Sequence, residues 1–335
     1  MVSFAHTFKM VRFVTPFRLL DGRQLKAAIL IALASSWQFV APLTSEAKGI
    51  KSGSAPQYVA QNEGVAQDGE SSSNSQAIFK LSSSKVKQGE VVEAIYQGPA
   101  LTLPVVEFNS QKYPLFAEAD TASEIRRYRG LISVPVLLKT GTKQVKLSGT
   151  EFSAPLTVVD AKYPVQRMTL PPSKNNFNTA PGEEEAVDRA KKTASEKRYW
   201  SGNFTAPSSA RVSAGFGLRR IVNGKLLDDY FHSGLDYAGW LGSPVKACAP
   251  GKIVLAVSKG FKLHGNTVAI DHGQGVVSFY IHLNKVLVKE GQLVKAGEQI
   301  GAIGQTGRAN GPHLHFSIYV NGNATSPWQW FTRAF

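Results

Sequence analysis

Six of the seven histidines in this chain of 335 residues, His232, His264, His272, His282, His313 and His315, lie in its last third. Imidazoles bind metals and move protons near neutral pH, so their crowding marks the part of the chain that does chemistry. His232 stands in FHSGLDYAG, four residues before Asp236. A straight strand would hold the two about 13 Å apart, at about 3.3 Å per residue. Donor atoms on one metal must come within about 3 Å of each other, since each lies about 2 Å from the ion. In a strand the chain must therefore bend between them, and Gly234 is placed to allow it; helical i,i+4 spacing would also serve, but the surrounding glycines disfavour it. His313 and His315 belong to the run HLHFSIYV. In a strand they share one face, with Cα atoms about 6.6 Å apart, while Leu314 points into a core. One of the pair can then bind a metal while the other reaches a water or substrate atom beside it. His282, in FYIHLN, shares a strand face with Tyr280 on the same pattern and offers a further imidazole. One carboxylate and two histidines make a catalytic zinc set, because three protein ligands leave a fourth position for water. The remaining two histidines would take a proton from that water or stabilise an oxyanion. The chain has no HExxH helix, so its general base need not be a glutamate.

The elements that must position these groups read as β structure. From Ser201 onward, KIVLAVS, NTVAIDHG, VVSFYIHL and HLHFSIYVNG are strand-like, and VLVKEGQLVKAGEQIGAIGQTG sets short apolar segments around single glycines. That rhythm suits strands turning sharply in a small barrel or sandwich. GQTGRANG before Pro312 is loop chemistry, and Arg308 and Asn310 within it are candidates to line a substrate groove, as is Tyr280. Residues 77–165 form a second region of short alternating strands with turn signals between them, which predicts a small antiparallel, immunoglobulin-like sandwich. It holds no histidine and no acid–base cluster, so it reads as a spacer or positioning domain. Residues 166–200 read as a linker with a connecting helix: PGEEEAVDRAKKTASEKRYW, residues 181–200, has an acidic first turn and basic residues after it, matching the helix dipole.

The N-terminal 47 residues read as an export signal or a retained anchor, with Arg12, Arg18, Arg23 and Lys26 ahead of an apolar run and a small-x-small SEA site at 45–47. Residues 48–76, rich in Ser, Gly, Gln and Asn, read as a disordered linker. The 30 glycines and 17 prolines favour a turn-rich β protein. The single cysteine, Cys248, rules out an intrachain disulfide framework and reads as a small buried hydrophobe. A net charge of +14 suits an anionic partner such as a cell-envelope polymer. No zinc-finger, helix-turn-helix or RNA-binding signature is present, so nucleic acid is not expected as the partner.

FHSGLDYAG, YIHL and GPHLHF, in that order, resemble the M23 (lysostaphin/LytM-type) zinc metallopeptidases, whose pattern is HxxxD, then Y-x-H-L, then HxH. The resemblance runs over about residues 203–331 and includes SAGFGLRR and the closing PWQWF. It implies a LytM-type antiparallel β catalytic domain at 201–335 holding one Zn2+ in a groove between loops. It implies that His232, Asp236 and His315 are the zinc ligands, and that His282 and His313 activate the water and stabilise the tetrahedral intermediate. It implies a periplasmic or envelope metalloendopeptidase acting on the cross-links or stem peptides of peptidoglycan, with an envelope regulator protein as a second partner. Membrane contact would come only through an uncleaved N-terminal segment. Family members that have lost ligands are non-catalytic activators of amidases, but all five positions are intact here. VKEGQLVKAGEQIG also resembles lipoyl-type carrier sheets, and the HxxxD motif separates the two readings.

Overall fold

The computed structural model describes residues 77–118, 125–169 and 177–335. The expected signal or anchor (1–47) and linker (48–76) lie outside the described residues. Among the described residues no helix is long and apolar enough to cross a membrane.

The chain is mainly β. In the N-terminal part, the strands Val91–Pro99 and Ile125–Ser133 pair antiparallel along their whole length. With Ile78–Leu81 and Phe116–Ala117 they make a four-stranded sheet. A five-stranded sheet faces it, and Val92, Tyr96, Tyr128 and Ile132 of the first share one core with Val106, Phe108, Leu147 and Leu156 of the second. Alternation along each strand supplies that core, since every second side chain falls on the same face. One pair departs from the antiparallel expectation: Lys85–Lys87 runs parallel to Ser153–Val159.

The C-terminal part is built on an eight-stranded sheet whose centre is His313–Val320, flanked by Leu235–Ala238 on one side and Val276–Leu283 on the other. Leu314, Phe316, Ile318 and Val320 are fully buried on one face of the central strand. Burial of that apolar row fixes the register, and the register decides what the opposite face presents. Pro244–Lys246, Gln299–Ala302 and Lys285–Val286 form a small separate sheet whose Val245 and Ile300 join the same core.

The segment expected as linker is partly structured. Val165–Met168 is a strand and pairs in parallel with Arg219–Val222. The helix is shorter than expected, Glu183–Lys191 rather than 181–200. Beyond it the chain is drawn into tertiary bonds: Ser195 Oγ donates to Asp271, and Tyr199 N to the His272 carbonyl. These contacts override the local helical preference. A second helix, Pro327–Thr332, arises at PWQWF, where Pro327 occupies its first turn and Trp330 is buried among Trp200, Phe204 and Phe335.

Candidate metal centre

The strand register assembles the first part of the site. Asp236 lies directly opposite His315 in the antiparallel pair of Leu235–Ala238 with His313–Val320. Directly opposed residues project to the same face, so carboxylate and imidazole meet on the face away from Leu314 and Phe316. His232 precedes this strand and is held by its backbone, its N–H on the Leu218 carbonyl and its own carbonyl accepting from Gly217 N. Gly234 lets the turn close, because a Cβ there would lie 2.1 Å from the Phe316 carbonyl oxygen. Its contribution is close backbone approach.

Three donor atoms converge as a result. His232 Nε2 lies 3.0 Å from Asp236 Oδ1 and 3.0 Å from His315 Nδ1, and the last two are 2.9 Å apart. Tetrahedral bonds of about 2.0–2.1 Å place donors about 3.3 Å apart, so the spacing suits one ion. The outer bonds fix which nitrogen each ring presents. His232 Nδ1 donates to the Gly215 carbonyl at 2.7 Å, leaving Nε2 as the lone-pair atom. His315 does the reverse, with Nε2 on Ser317 Oγ at 2.7 Å and Nδ1 turned inward. Such bonds lock tautomer and ring orientation. Burial pushes the Asp236 carboxyl up, but the two imidazoles outweigh this and hold it well below the usual carboxylate range. Three lone-pair donors pointed at one another are unfavourable without a cation between them. This donor set fits a metal ion.

His282 and His313 complete the cluster, their rings 4.8 Å apart. Each donates Nδ1–H to a carbonyl, His282 to Thr306 at 2.9 Å and His313 to Gly311 at 2.8 Å. Each therefore keeps Nε2 as an acceptor, and that of His313 lies 3.9 Å from Asp236 Oδ1. Burial, then the neighbouring His315 and His313, push the His282 imidazole down to about 3, so it is neutral near pH 7. Burial likewise lowers His315.

The route by which His282 reaches the site corrects the expectation from strand alternation. Tyr280 pairs with Phe316, and Ile281 with His315. Tyr280 is therefore on the core face, packed 5.2 Å from the Phe316 ring and fully buried. Its hydroxyl accepts from Cys248 N at 2.9 Å and bonds Ser278 at 3.1 Å. It does not line the groove. Strict alternation would bury His282 beside it. Instead His282 takes a left-handed backbone, φ 63, where the pairing to Asn266–Gly273 also slips register. That twist turns its side chain back to the His315 face. A non-glycine residue in this region is strained, and such strain gathers at functional sites.

The cluster opens into a groove of about 430 Å³. Arg308 and Asn310 line it, and so do Arg220, Tyr230 and Phe177, which were not anticipated. His264 reaches it too, held by Glu183 Oε1 at 2.7 Å from its Nδ1. Glu183 has no exposed surface and also accepts the N–H groups of Lys262, Leu263 and His264. The acidic run EEE gave its helical position, but nothing local told which glutamate would be buried. His272 is apart from the groove. It is fully buried between the Pro250 carbonyl and Ser278, and burial pushes it down to about 4.

The family model of Peptidase family M23 matches residues 230–327, a stretch that contains all five residues of the cluster. Over 121 residues the chain is 38% identical to the peptidoglycan DD-endopeptidase ShyA of Vibrio cholerae, covering 36% of this chain and 27% of that one. Over 117 residues it is 42% identical to the DD-carboxypeptidase/endopeptidase Mpg of Neisseria meningitidis, covering 35% and 26%. It thus spans about a quarter of the length of these curated relatives. Among solved structures it is similar to a candidate M23 peptidase from Pseudomonas aeruginosa, with a TM-score of 0.51 and 25% identity over 72% of this chain and 93% of that one.

Proposed function

We propose that this chain, which carries a peptidase family M23 domain across residues 230–327, is an exported zinc-dependent endopeptidase that hydrolyses peptide bonds of bacterial peptidoglycan. The observation that carries the reading is the convergence of His232 Nε2, Asp236 Oδ1 and His315 Nδ1, with two further imidazoles beside it. The relatives named as peptidoglycan endopeptidases support the substrate, and the net charge of +14 suits retention at an anionic envelope.

His232, Asp236 and His315 would hold the zinc. When bound, the ion lowers the pKa of a water to about 7 and polarises the scissile carbonyl. The protein does the rest. His282 and His313 offer Nε2 lone pairs toward the attacking water, because each Nδ1 is committed to a backbone carbonyl. The imidazole that takes the proton becomes a donor at that same nitrogen. It can then bond the developing oxyanion or pass the proton to the leaving amine. Burial disfavours charge on His282, so its ring is a neutral acceptor near pH 7. The preset ring orientations mean little reorganisation is needed during reaction.

The test is digestion of purified sacculi by the intact chain loaded with zinc, followed by mass spectrometry of the released muropeptides. Cleaved cross-links or stems, lost on chelation and restored by zinc, are the expected result. Unaltered muropeptides with a full complement of zinc would sink the proposal.

A further inference from the structure

We propose that a hollow built around Trp240, which continues the groove of the metal centre, is a saccharide-stacking subsite for the amino-sugar strand that carries the peptide substrate. This rests on the peptidoglycan endopeptidase reading and names what else its substrate must present.

The hollow has a volume of about 920 Å³, and Ala238 and Pro312 line both it and the groove of the five-residue cluster. Ala238 lies opposite His313 in the strand pairing, so the two depressions meet beside that histidine. A substrate longer than the groove can run into the hollow at this junction. Trp240 forms part of the hollow's wall with 88% of its surface exposed. The backbone holds it there. Ser243 N donates to the Trp240 carbonyl at 3.0 Å, closing a turn in which Gly242 takes φ 89, a conformation that favours glycine. Gly242 N donates to the Ile303 carbonyl and Ile303 N to that of Ser243, both at 2.8 Å. On the other side Gly239 packs closely, since a Cβ there would lie 2.6 Å from Ile303 Cδ1. Covering so large an apolar ring is favourable, and a preset turn lowers the entropy lost on covering it.

The lining selects among ligand classes. Among the described residues around the hollow there is no carboxylate, and Lys246 is the one charged group. An extended peptide is held by backbone donors and acceptors along its path. This wall is short of donors. Pro207, Pro244 and Pro312 have no N–H. The N–H groups of Ala210, Ser243 and Lys246 are occupied by Ser208 Oγ and by the carbonyls of Trp240 and Pro207. The wall offers instead an indole face and the hydroxyls of Ser208, Ser209 and Ser243. A pyranose ring matches both. Its C–H face packs on the negative face of an aromatic ring, while its hydroxyl and acetamido rim bonds short polar side chains. The peptides of peptidoglycan hang from a strand of such rings. Peptide in the groove and sugar on the hollow would engage two connected sites at once.

Two soluble substrates with the same cross-linked peptides separate the contributions. Muramidase digestion of sacculi gives dimers that keep a disaccharide on each stem, and amidase treatment of these gives free peptide dimers. The zinc-loaded full chain should cleave the disaccharide-bearing dimers with a KM about 3–10-fold lower, the worth of one aromatic stacking contact, at similar kcat. Trp240→Ala should raise that KM to the value for free dimers, with zinc content and circular dichroism as in the wild type. Trp240→Tyr, which keeps an aromatic face, should retain part of the difference. Binding is read separately on the ¹⁵N-labelled, zinc-loaded protein. The Trp240 indole N–H signal, assigned by its loss in Trp240→Ala, should shift as chitotetraose, an amino-sugar strand without peptide, is added. Equal KM values for the two substrates in the wild type would overturn the subsite and leave the endopeptidase reading intact. So would a Trp240→Ala variant that loses rate equally on both, which would make the hollow a peptide site, or an indole signal that chitotetraose does not move. Cleavage of neither substrate by zinc-loaded protein would overturn the endopeptidase reading and the subsite's place in it.

Discussion

His313 and His315 are two residues apart on one strand, yet they present different nitrogens. His315 turns Nδ1 into the donor set because Ser317 Oγ occupies its Nε2. His313 keeps Nδ1 on the Gly311 carbonyl and offers Nε2 to the groove. Their substitutions should therefore separate. On the proposed assignment, His315→Ala removes one of three donors and should leave the purified protein without stoichiometric zinc and without activity. His313→Ala should keep about one zinc per chain and lose about 10²–10⁴-fold in kcat, the usual worth of a positioned acid–base group. Metal analysis beside steady-state kinetics checks both. Zinc loss in His313→Ala, with retention in His315→Ala, would mean the pair is assigned the wrong way round. The spacing HxH was legible because strand period is a local property. Which of the pair joins the donor set was implied only by the family resemblance; strand period leaves it open, because it depends on Ser317 and Gly311 as hydrogen-bond partners.

At the scale of elements, the helix Glu183–Lys191 is a positioning device for the groove. Its Glu183 carboxylate accepts from the loop that carries His264, and the His264 carbonyl in turn accepts from His282 N. Burial raises the Glu183 pKa, but the hydrogen bonds from Ala180, His264 and Lys262 overcome this and hold it at about 2, below the ordinary 4.5. A carboxyl depressed on folding adds stability that is complete above about 4.5 and is lost as pH falls toward about 2. Glu183→Gln keeps the shape but has one acceptor oxygen where two served. It should cost about 1–3 kcal/mol near pH 7, the penalty for leaving buried donors unmet. Thermal melts of both proteins across acid pH should show the gap closing between about 4.5 and about 2. A gap that is constant with pH would remove the carboxylate's charge from the account. The expected helix of residues 181–200 was too long for a related reason. Local propensity continues past Lys191, whereas Ser195 and Tyr199 gain bonds to Asp271 and His272 only in the folded chain.

At the scale of the whole described structure, the sandwich is tied to the C-terminal sheet through specific polar contacts. The Gln329 side chain accepts from Val91 N at 2.8 Å and donates to Val91 O at 2.9 Å. Ser133 Oγ donates to the Val320 carbonyl, at the end of the central histidine strand. Val91, Leu131 and Val136 of the N-terminal part join the same core as that sheet. Gln329→Ala breaks the paired bonds and should lower stability by about 1–3 kcal/mol, at about 0.5–1.5 each. Zinc content should persist, because Gln329 touches none of His232, Asp236 and His315. A denaturant midpoint equal to the wild type would show that the apolar contacts alone hold the two parts together.

The sequence by itself determined the β class, the histidine-rich third and the five residues that gather there, since HxxxD, YIHL and HxH are short motifs whose periods and residue types are read along the chain. The tertiary structure alone decided the rest. It placed Tyr280 in the core and turned His282 to the groove through one left-handed residue at a register slip. It brought Arg220, Tyr230 and Phe177 to the same wall as Arg308, from segments far apart in the chain. It chose Glu183 from three consecutive glutamates as the buried one. In each case the deciding contact is long-range, and a contact between distant segments leaves no mark in the local pattern of either one.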